Sequence, residues 1–417
     1  MSDSRPAKRA KPVAVGPPRR RMSRTERARD DRRQRKQSRR RRVITVLGGG
    51  LVVMVAIAGV FLASKLWHNS APVVDYTGEG GQQVLIEVHE GDYTTAVAET
   101  LRDAGVIANV APFLDAGQRN PAIAAIQPGF YRLRAEIPAA TAVQQLADPG
   151  NRVGKLVIPE GRQLDDVTDL KTAAVTPGVF TLIAQASCLD LNGDQHCLEV
   201  GDLRHAAETE TLQALSVPDW AVGPVAKLGH DHRRIEGLIT AGTWNVDPTA
   251  SAPTVLSKLI GQSAAQLAKS NLSGIAAQLG MAPYDLLVVA SLVQREALPH
   301  DFAKVARVIE NRLGEPQRLE FDSTVNYPLD RQEVATTDAD RAKVTPWNTY
   351  ASDGLPATPI CSPGKEALAA AEHPEPGDWL YFVTIDKDGT TLFTHNYQQH
   401  LNNIEQALDN GVLDSAR

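Results

Sequence analysis

A single glutamate, Glu296, lies where a protein rarely places a charged side chain. Segment 286–297 predicts a helix whose apolar face is formed by residues at helical spacing, namely Leu286, Val289 and Val293. Glu296 is the next residue on that face, where a charge is seldom found without a function. Pro299 follows closely, so we expect the helix to end near residue 298, with Glu296 in its last turn.

This placement predicts a general acid. An apolar wall and the negative end of the helix dipole both disfavour the carboxylate form, so both raise the pKa of the Glu296 carboxyl. A carboxyl group that stays protonated near neutral pH can donate a proton to a leaving group. The simpler alternative is a glutamate at a frayed helix end that reaches water, or one that pairs with Arg295 or Arg312.

A long irregular segment, 315–363, follows the next predicted helix, and long loops inside compact domains are usually functional. Amides, hydroxyls, carboxylates and aromatic rings are dense in it, a combination that suits a sugar chain. These side chains are Glu320, Asp322, Thr324, Tyr327, Trp347, Asn348, Thr349 and Tyr350. The sequence has no P-loop, G-x-S-x-G or H-E-x-x-H motif, so we expect no nucleotide, no metal site and no cofactor.

The N-terminal arm, residues 1–42, carries 18 of the 44 Lys and Arg residues but only 4 of the 49 Asp and Glu residues. It has almost no large apolar side chains, which predicts disorder. Segment 43–64 is uncharged, and as a helix it would be roughly 33 Å long, enough to cross a bilayer core of about 30 Å. We expect one transmembrane helix with the basic arm in the cytoplasm, and no nucleic-acid partner. A buried soluble helix is the alternative.

The rest of the chain predicts an α+β fold. Residues 65–83 form a polar linker. Residues 84–153 alternate strand and helix, which predicts a small α+β module. Residues 154–409 predict a mixed α/β domain that contains Glu296, and residues 410–417 form a C-terminal tail.

The three cysteines are too few for a disulfide scaffold. Cys188 and Cys197 flank a short polar loop, where they would form a disulfide in an oxidising compartment and remain free thiols in the cytosol. Cys361 lies in an apolar context, and we expect it to stay free.

Residues 290–296 (ASLVQRE) resemble the ASIVEKE motif of the endolytic murein transglycosylases of the MltG/YceG type. More motifs of that family follow in its order, at residues 311–313, 319–325, 346–350, 354–356, 359–360 and 381–383. Upstream, residues 158–161 and 236–237 also match, and residues 84–150 are similar to the family's LysM-like module. The resemblance covers about residues 84–409.

The resemblance assigns the catalytic acid to Glu296, whereas the first acid of the motif is Gln294 here. Other departures from the family pattern occur at Glu320, Ser323, Thr391 and the segment 241–244. The positions expected to contact sugar are Glu236, Glu320, Asp322, Thr324, Asn348, Thr349 and Tyr350.

The implied reaction cleaves the MurNAc–GlcNAc β-1,4 bond inside a peptidoglycan strand and leaves a 1,6-anhydroMurNAc end, which limits strand length during wall synthesis. The resemblance also implies location at the cytoplasmic membrane, an extracytoplasmic catalytic domain and peptidoglycan synthases (penicillin-binding proteins) as partners. A lysozyme-like muramidase is one alternative, with Asp322, Glu320 or Glu236 as its second carboxylate. A catalytically silent peptidoglycan-binding scaffold is the other.

Overall fold

The structure is a computed structural model that describes residues 74–329, 331–332 and 336–412. The basic arm and the transmembrane helix expected at residues 43–64 lie outside the described residues. The described part has a mixed α+β fold, which confirms the predicted class in its coarse form. Residues 74–412 belong to one compact unit, so the boundary expected at residues 153 and 154 stays a prediction.

Fourteen α-helices occur within the described residues. They are α1 (Thr94–Asp103), α2 (Val110–Arg119), α3 (Ala139–Ala147), α4 (Val179–Ser187), α5 (Val200–Thr209), α6 (Asp219–Lys227), α7 (Ala252–Lys269), α8 (Leu272–Gln278), α9 (Pro283–Glu296), α10 (Phe302–Gly314), α11 (Asp322–Asn326), α12 (Asp338–Arg341), α13 (Lys365–Glu372) and α14 (Tyr397–Asp409).

The strands are short and form sheets of two or three strands. They are β1 (Gln83–Val88), β2 (Gly129–Arg134), β3 (Arg152–Val153), β4 (Lys155–Ile158), β5 (Val167–Asp169), β6 (Val175–Thr176), β7 (Leu189–Leu191), β8 (Asp194–His196), β9 (Gly242–Asn245), β10 (Arg331–Gln332), β11 (Tyr381–Thr384) and β12 (Thr391–Thr394). Every pair is antiparallel except β5 with β10. A mixed α/β arrangement is expected after residue 154, but among the residues of that region that the structure describes only two pair in parallel with β5, so the described part is α+β.

The small N-terminal module alternates strand and helix as the sequence predicts, and the structure adds helix α2 and the short strand β3. Strands β1 and β2 pair in antiparallel register, Ile86 opposite Tyr131, and helices α1 and α3 pack on the sheet. The helix α2 is not predicted from the sequence. Its Phe113 is fully buried in the module core, so the helix is held by tertiary packing.

The larger core surrounds helix α9. Every residue from Leu286 to Val293 is buried, so the helix is apolar on all sides and not on one face as the spacing alone predicts. It begins at Pro283, where proline needs no hydrogen-bond partner, and its last helical residue is Glu296. Helices α10 and α13 pack against it and enclose it on two sides.

Polar contacts join the module to the larger core. The Lys258 ammonium on α7 lies 2.9 Å from the Glu87 carboxylate on β1 and over the Phe130 ring. The Arg152 guanidinium donates to the Asn245 side chain at 3.0 Å. These contacts fix the module against strand β9 and helix α7.

None of the single helices in residues 74–412 combines the length and hydropathy needed to span a membrane. Helices α8 and α9 meet that test only as a pair bent by 92°. Most of α9 is buried within the protein core.

The structure joins Cys188 and Cys197 by a disulfide that closes the β7–β8 hairpin. Cys361 is buried and free, as expected. Burial is the cause that raises the pKa of its thiol, so this cysteine is an inert core residue.

Gly154 lies between β3 and β4, with φ +68°, and a Cβ there would come within 1.9 Å of the Val246 carbonyl oxygen. Because that neighbour is backbone, it cannot rotate away. We predict that Gly154→Ala lowers the free energy of unfolding by more than about 2 kcal/mol. Thermal or urea denaturation measures the loss.

Gly105 provides the matched control. Its φ is +72°, but nothing lies within 4 Å of the position its Cβ would occupy. Gly105→Ala therefore measures the backbone strain alone, about 1–2 kcal/mol. Equal losses for the two variants would contradict the close approach to Val246.

Candidate active site

Glu296, the last residue of α9, is half-buried at the edge of the core. Burial is the main cause that raises the pKa of its carboxyl to about 7. The negative charge of Asp322 raises it further, while Ser323 and Arg295 lower it in part. The buried Ser323 hydroxyl forms no hydrogen bond of good geometry within the described part of the chain. Glu296 therefore keeps its proton to a higher pH than an exposed glutamate does.

Asp322 begins the short helix α11 and is held as a fixed negative charge beside the acid. Its Oδ1 accepts hydrogen bonds from Thr336 at 2.6 Å and from Tyr350 at 3.0 Å. The Arg341 guanidinium donates to both carboxylate oxygens and lies over the Tyr350 ring. Three partners from two segments thus fix this carboxylate in place.

Arg312 on α10 is a buried cation that connects the elements around the acid. Its guanidinium donates to the carbonyls of Leu380 and Leu319, which ties β11 and the loop before α11 to helix α10. Burial lowers the pKa of Arg312, whereas Glu320 and Glu296 favour its charged form. Sequence reasoning did not select Arg312 as a site residue, although it lies one helical turn after buried Ile309, the same signal that identified Glu296.

Three of the predicted sugar contacts form hydrogen bonds that hold the loops together. Thr324 and Thr349 are buried, and their hydroxyls lie 2.9 Å apart, with the Thr349 hydroxyl accepting from the Phe321 N–H. Asn348 is 1% exposed and donates to the Arg341 carbonyl at 2.9 Å, while its Oδ1 accepts from the Tyr350 N–H. Direct sugar contact by these residues stays a prediction, and the described conformation gives them a positioning role.

Two other predicted contacts remain accessible. The Glu320 side chain is exposed, and its backbone, with φ 50°, donates from its N–H to the Thr349 carbonyl. The Tyr350 side chain is half-buried beside Asp322. Both lie close enough to Arg312 to influence its charge, so the structure brings them together around one cation.

Glu236 is placed apart from this group. It is 1% exposed, and its Oε2 accepts from the Leu164 N–H at 3.0 Å and from the Tyr327 hydroxyl at 2.8 Å. Burial raises the pKa of Glu236 to about 7, against the hydrogen bonds, which lower it. These contacts join the loop after β4 and the residue that follows α11 to the end of the 3₁₀ turn at His232–Ile235, so in the described conformation Glu236 holds these segments together.

No group of three or more His, Cys, Asp and Glu side chains that could hold a metal ion occurs in the described ranges 74–329, 331–332 and 336–412.

The stability of the protein is predicted to depend on pH through Glu236. Its pKa is about 7 when folded and 4.5 when exposed, so the folded protein binds more protons between these values. Stability therefore falls as pH rises from about 4.5 to about 7, by about 3 kcal/mol. Glu236→Gln removes the contribution of Glu236 to this pH dependence. The free energy of unfolding of the variant should therefore rise relative to that of wild type as pH increases from about 5 to about 8.

The exposed Glu405 on α14 offers the control. Glu405→Gln makes the same substitution at an exposed position, so a change of slope found only in Glu236→Gln is assigned to the buried carboxyl. If Glu236→Gln shows the wild-type slope, the Glu236 carboxyl does not titrate as described.

Comparisons with known proteins agree with this architecture. The YceG-like family profile matches residues 86–406. An endolytic murein transglycosylase of Bacillus subtilis is 26% identical over 323 residues, covering 76% of this chain and 82% of that protein. An endolytic murein transglycosylase of Streptococcus pneumoniae is 24% identical, covering 78% of this chain and 58% of its own length.

A crystal structure of a YceG-like protein from Listeria monocytogenes matches 77% of this chain and 99% of its own, with a TM-score of 0.50 and 24% identity. This likeness concerns the fold. The profile covers well over half of the chain, and its span includes the α9 acid and the loops around it. The chain therefore belongs to the YceG-like family.

Proposed function

We propose that the chain is a membrane-anchored endolytic lytic transglycosylase that cleaves the MurNAc–GlcNAc β-1,4 bond within peptidoglycan strands. The observation that carries the proposal is Glu296, a half-buried carboxyl whose pKa burial raises to about 7 at the end of a core helix. The activity named for the relatives supports the same reaction class.

In the proposed reaction Glu296 acts twice. Protonated Glu296 donates its proton to the glycosidic oxygen as the bond to MurNAc C1 breaks. The resulting carboxylate then takes the proton of the MurNAc C6 hydroxyl as that oxygen attacks C1, which forms the 1,6-anhydro end. A pKa near 7 suits both steps, because the group must lose and regain a proton at the same pH.

The fixed Asp322 carboxylate supports this reaction by electrostatics. Its charge keeps the Glu296 pKa raised, and it can stabilise the positive charge that develops on the sugar ring. Because its Oδ1 already accepts from Thr336, Tyr350 and Arg341, it is poorly placed to activate a water molecule. This argues against a muramidase in which Asp322 is the second carboxylate.

The cellular placement is part of the proposal. The uncharged segment 43–64 would anchor the chain in the cytoplasmic membrane, with the basic arm inside and the catalytic domain outside. The enzyme would there act on nascent strands beside the synthases that make them. A disulfide between Cys188 and Cys197 is consistent with an oxidising location.

Glu296→Gln tests the central step. We predict a fall of about 10³–10⁴-fold in the release of anhydro-ended fragments from uncrosslinked strands, because one group performs both proton transfers. The purified full-length chain in detergent is incubated with the strands, and the products are counted by mass spectrometry. A folded Glu296→Gln variant that cleaves at the wild-type rate would rule out Glu296 as the catalyst.

Product identity separates the rival functions. A muramidase gives reducing ends and should lose nearly as much activity in Asp322→Asn as in Glu296→Gln. A silent scaffold binds strands and releases no product. The proposed transglycosylase gives anhydro ends and retains more activity in Asp322→Asn than in Glu296→Gln.

The pH profile gives a second prediction. Because the first step needs protonated Glu296, the cleavage rate should fall as pH rises through about 7. Asp322→Asn removes the negative charge that helps to raise this pKa, so the falling limb should move to lower pH. If the falling limb of the pH–rate profile stays at the same pH in Asp322→Asn, Asp322 does not influence the pKa of Glu296.

A further inference from the structure

A cavity of about 320 Å³ is lined in part by Arg295, the residue before the proposed acid. Its wall includes Arg162, Arg295, Gln163, Gln332 and Asp169. This volume lies within the range of about 300–1,000 Å³ that is usual for small-molecule sites. Arg295 directly precedes Glu296 on α9, so the Cα atoms of the two residues are about 3.8 Å apart.

Two cations in this wall are unpaired. Within the described residues neither the Arg162 nor the Arg295 guanidinium forms an ion pair, and the one side-chain hydrogen bond of Arg295 goes to Gln332 at 3.3 Å. Arginine presents several donors in a fixed fork that matches a carboxylate. Two guanidinium groups without ion-pair partners therefore line one cavity, and together they can bind an anionic group.

The carboxylates of the same wall are already engaged. Asp165 pairs with Arg204 at 2.7 Å and with His232 at 2.7 Å. Asp169 accepts from the N–H and hydroxyl of Thr172 at 2.6 and 2.7 Å. Neither carboxylate is directed to Arg162 or Arg295, which leaves these cations available to a ligand.

The cavity wall is held in place before any ligand binds. The Arg162 backbone pairs with Ser362, whose N–H donates to the Arg162 carbonyl at 2.7 Å. The Gln332 side chain links Arg295 to Gln163, to which it donates at 3.0 Å. A site of this kind loses little conformational entropy when it binds a ligand.

We infer that this cavity binds the acidic peptide substituent of the MurNAc residue whose bond is cleaved, with Arg162 and Arg295 receiving a peptide carboxylate. The inference rests on the proposed function and adds to it a preference for strands that carry their peptides. The substituent and the scissile C1 belong to the same sugar, so a peptide site has to lie close to the acid, and this cavity is lined by Arg295, the residue before the acid on α9.

The test compares cleavage of peptide-bearing strands with cleavage of the same strands after an amidase has removed the peptides. The full-length wild-type chain should prefer the peptide-bearing strands. In Arg162→Gln the ratio of the two kcat/KM values should fall by about 10- to 100-fold, mainly through KM. Arg162→Lys keeps the positive charge but loses the forked donor geometry of the guanidinium group. Its ratio of kcat/KM values should therefore lie between those of wild type and Arg162→Gln.

Arg119 provides the matched control, because it is an exposed arginine of the module that pairs with Asp115. Arg119→Gln should keep the wild-type ratio. An unchanged ratio in Arg162→Gln, or a wild-type enzyme without preference, would overturn the inference.

A binding measurement separates this inference from the proposed function. Calorimetry uses a soluble disaccharide–peptide, its form with amidated carboxylates and the bare disaccharide. Binding of the acidic form that weakens in Arg162→Gln supports the peptide site even if the chain cleaves neither strand. Equal binding of the acidic and amidated forms, binding unchanged in Arg162→Gln, or no binding at all contradicts it.

Discussion

The removal of one carboxyl group from water is the constraint on which the rest of this structure depends. Helix α9 is apolar on every side, so the protein must surround it with other elements, and its final residue is carried to the edge of that core. At this edge position Glu296 is buried enough to have a raised pKa, and it is still partly exposed to solvent. An acid one turn earlier on α9 would lie among buried residues, and an acid one turn later would lie in solvent.

Fixed charges around Glu296 then determine the electrostatic potential at its carboxyl group. Asp322 raises the Glu296 pKa, and Arg341 holds Asp322 in place with Tyr350 and Thr336. Arg312 contributes the opposite sign while its hydrogen bonds secure the neighbouring loops. Many polar loop residues are thus required to hold the charges still, because electrostatic stabilisation is effective only when the groups need not reorganise during the reaction.

Much of this could be predicted from the sequence, for reasons that differ between residues. Pro283 and Pro299 delimit α9 through local sterics, so the position of Glu296 at the helix end is predictable. The burial of α9 on all sides is not, because it depends on the way α10 folds back onto α9 and on α13, which is distant in sequence. The same limit applies to Asn348 and Thr349. Their residue types suit sugar contacts, but only tertiary structure shows that their polar atoms are used within the protein.

Glu236 and Glu296 show why a raised pKa alone does not identify a catalyst. Burial raises both pKa values to about 7, so the two carboxyls are alike in the ease of proton loss. Glu236 is 1% exposed, and Leu164, Tyr327 and Gly237 all donate hydrogen bonds to it. Glu296 is half-buried at the end of α9, and Arg295, the residue before it, lines a cavity. A proton on Glu236 can only be exchanged within the core, whereas a proton on Glu296 can reach a substrate, so access distinguishes the catalytic candidate from the structural acid.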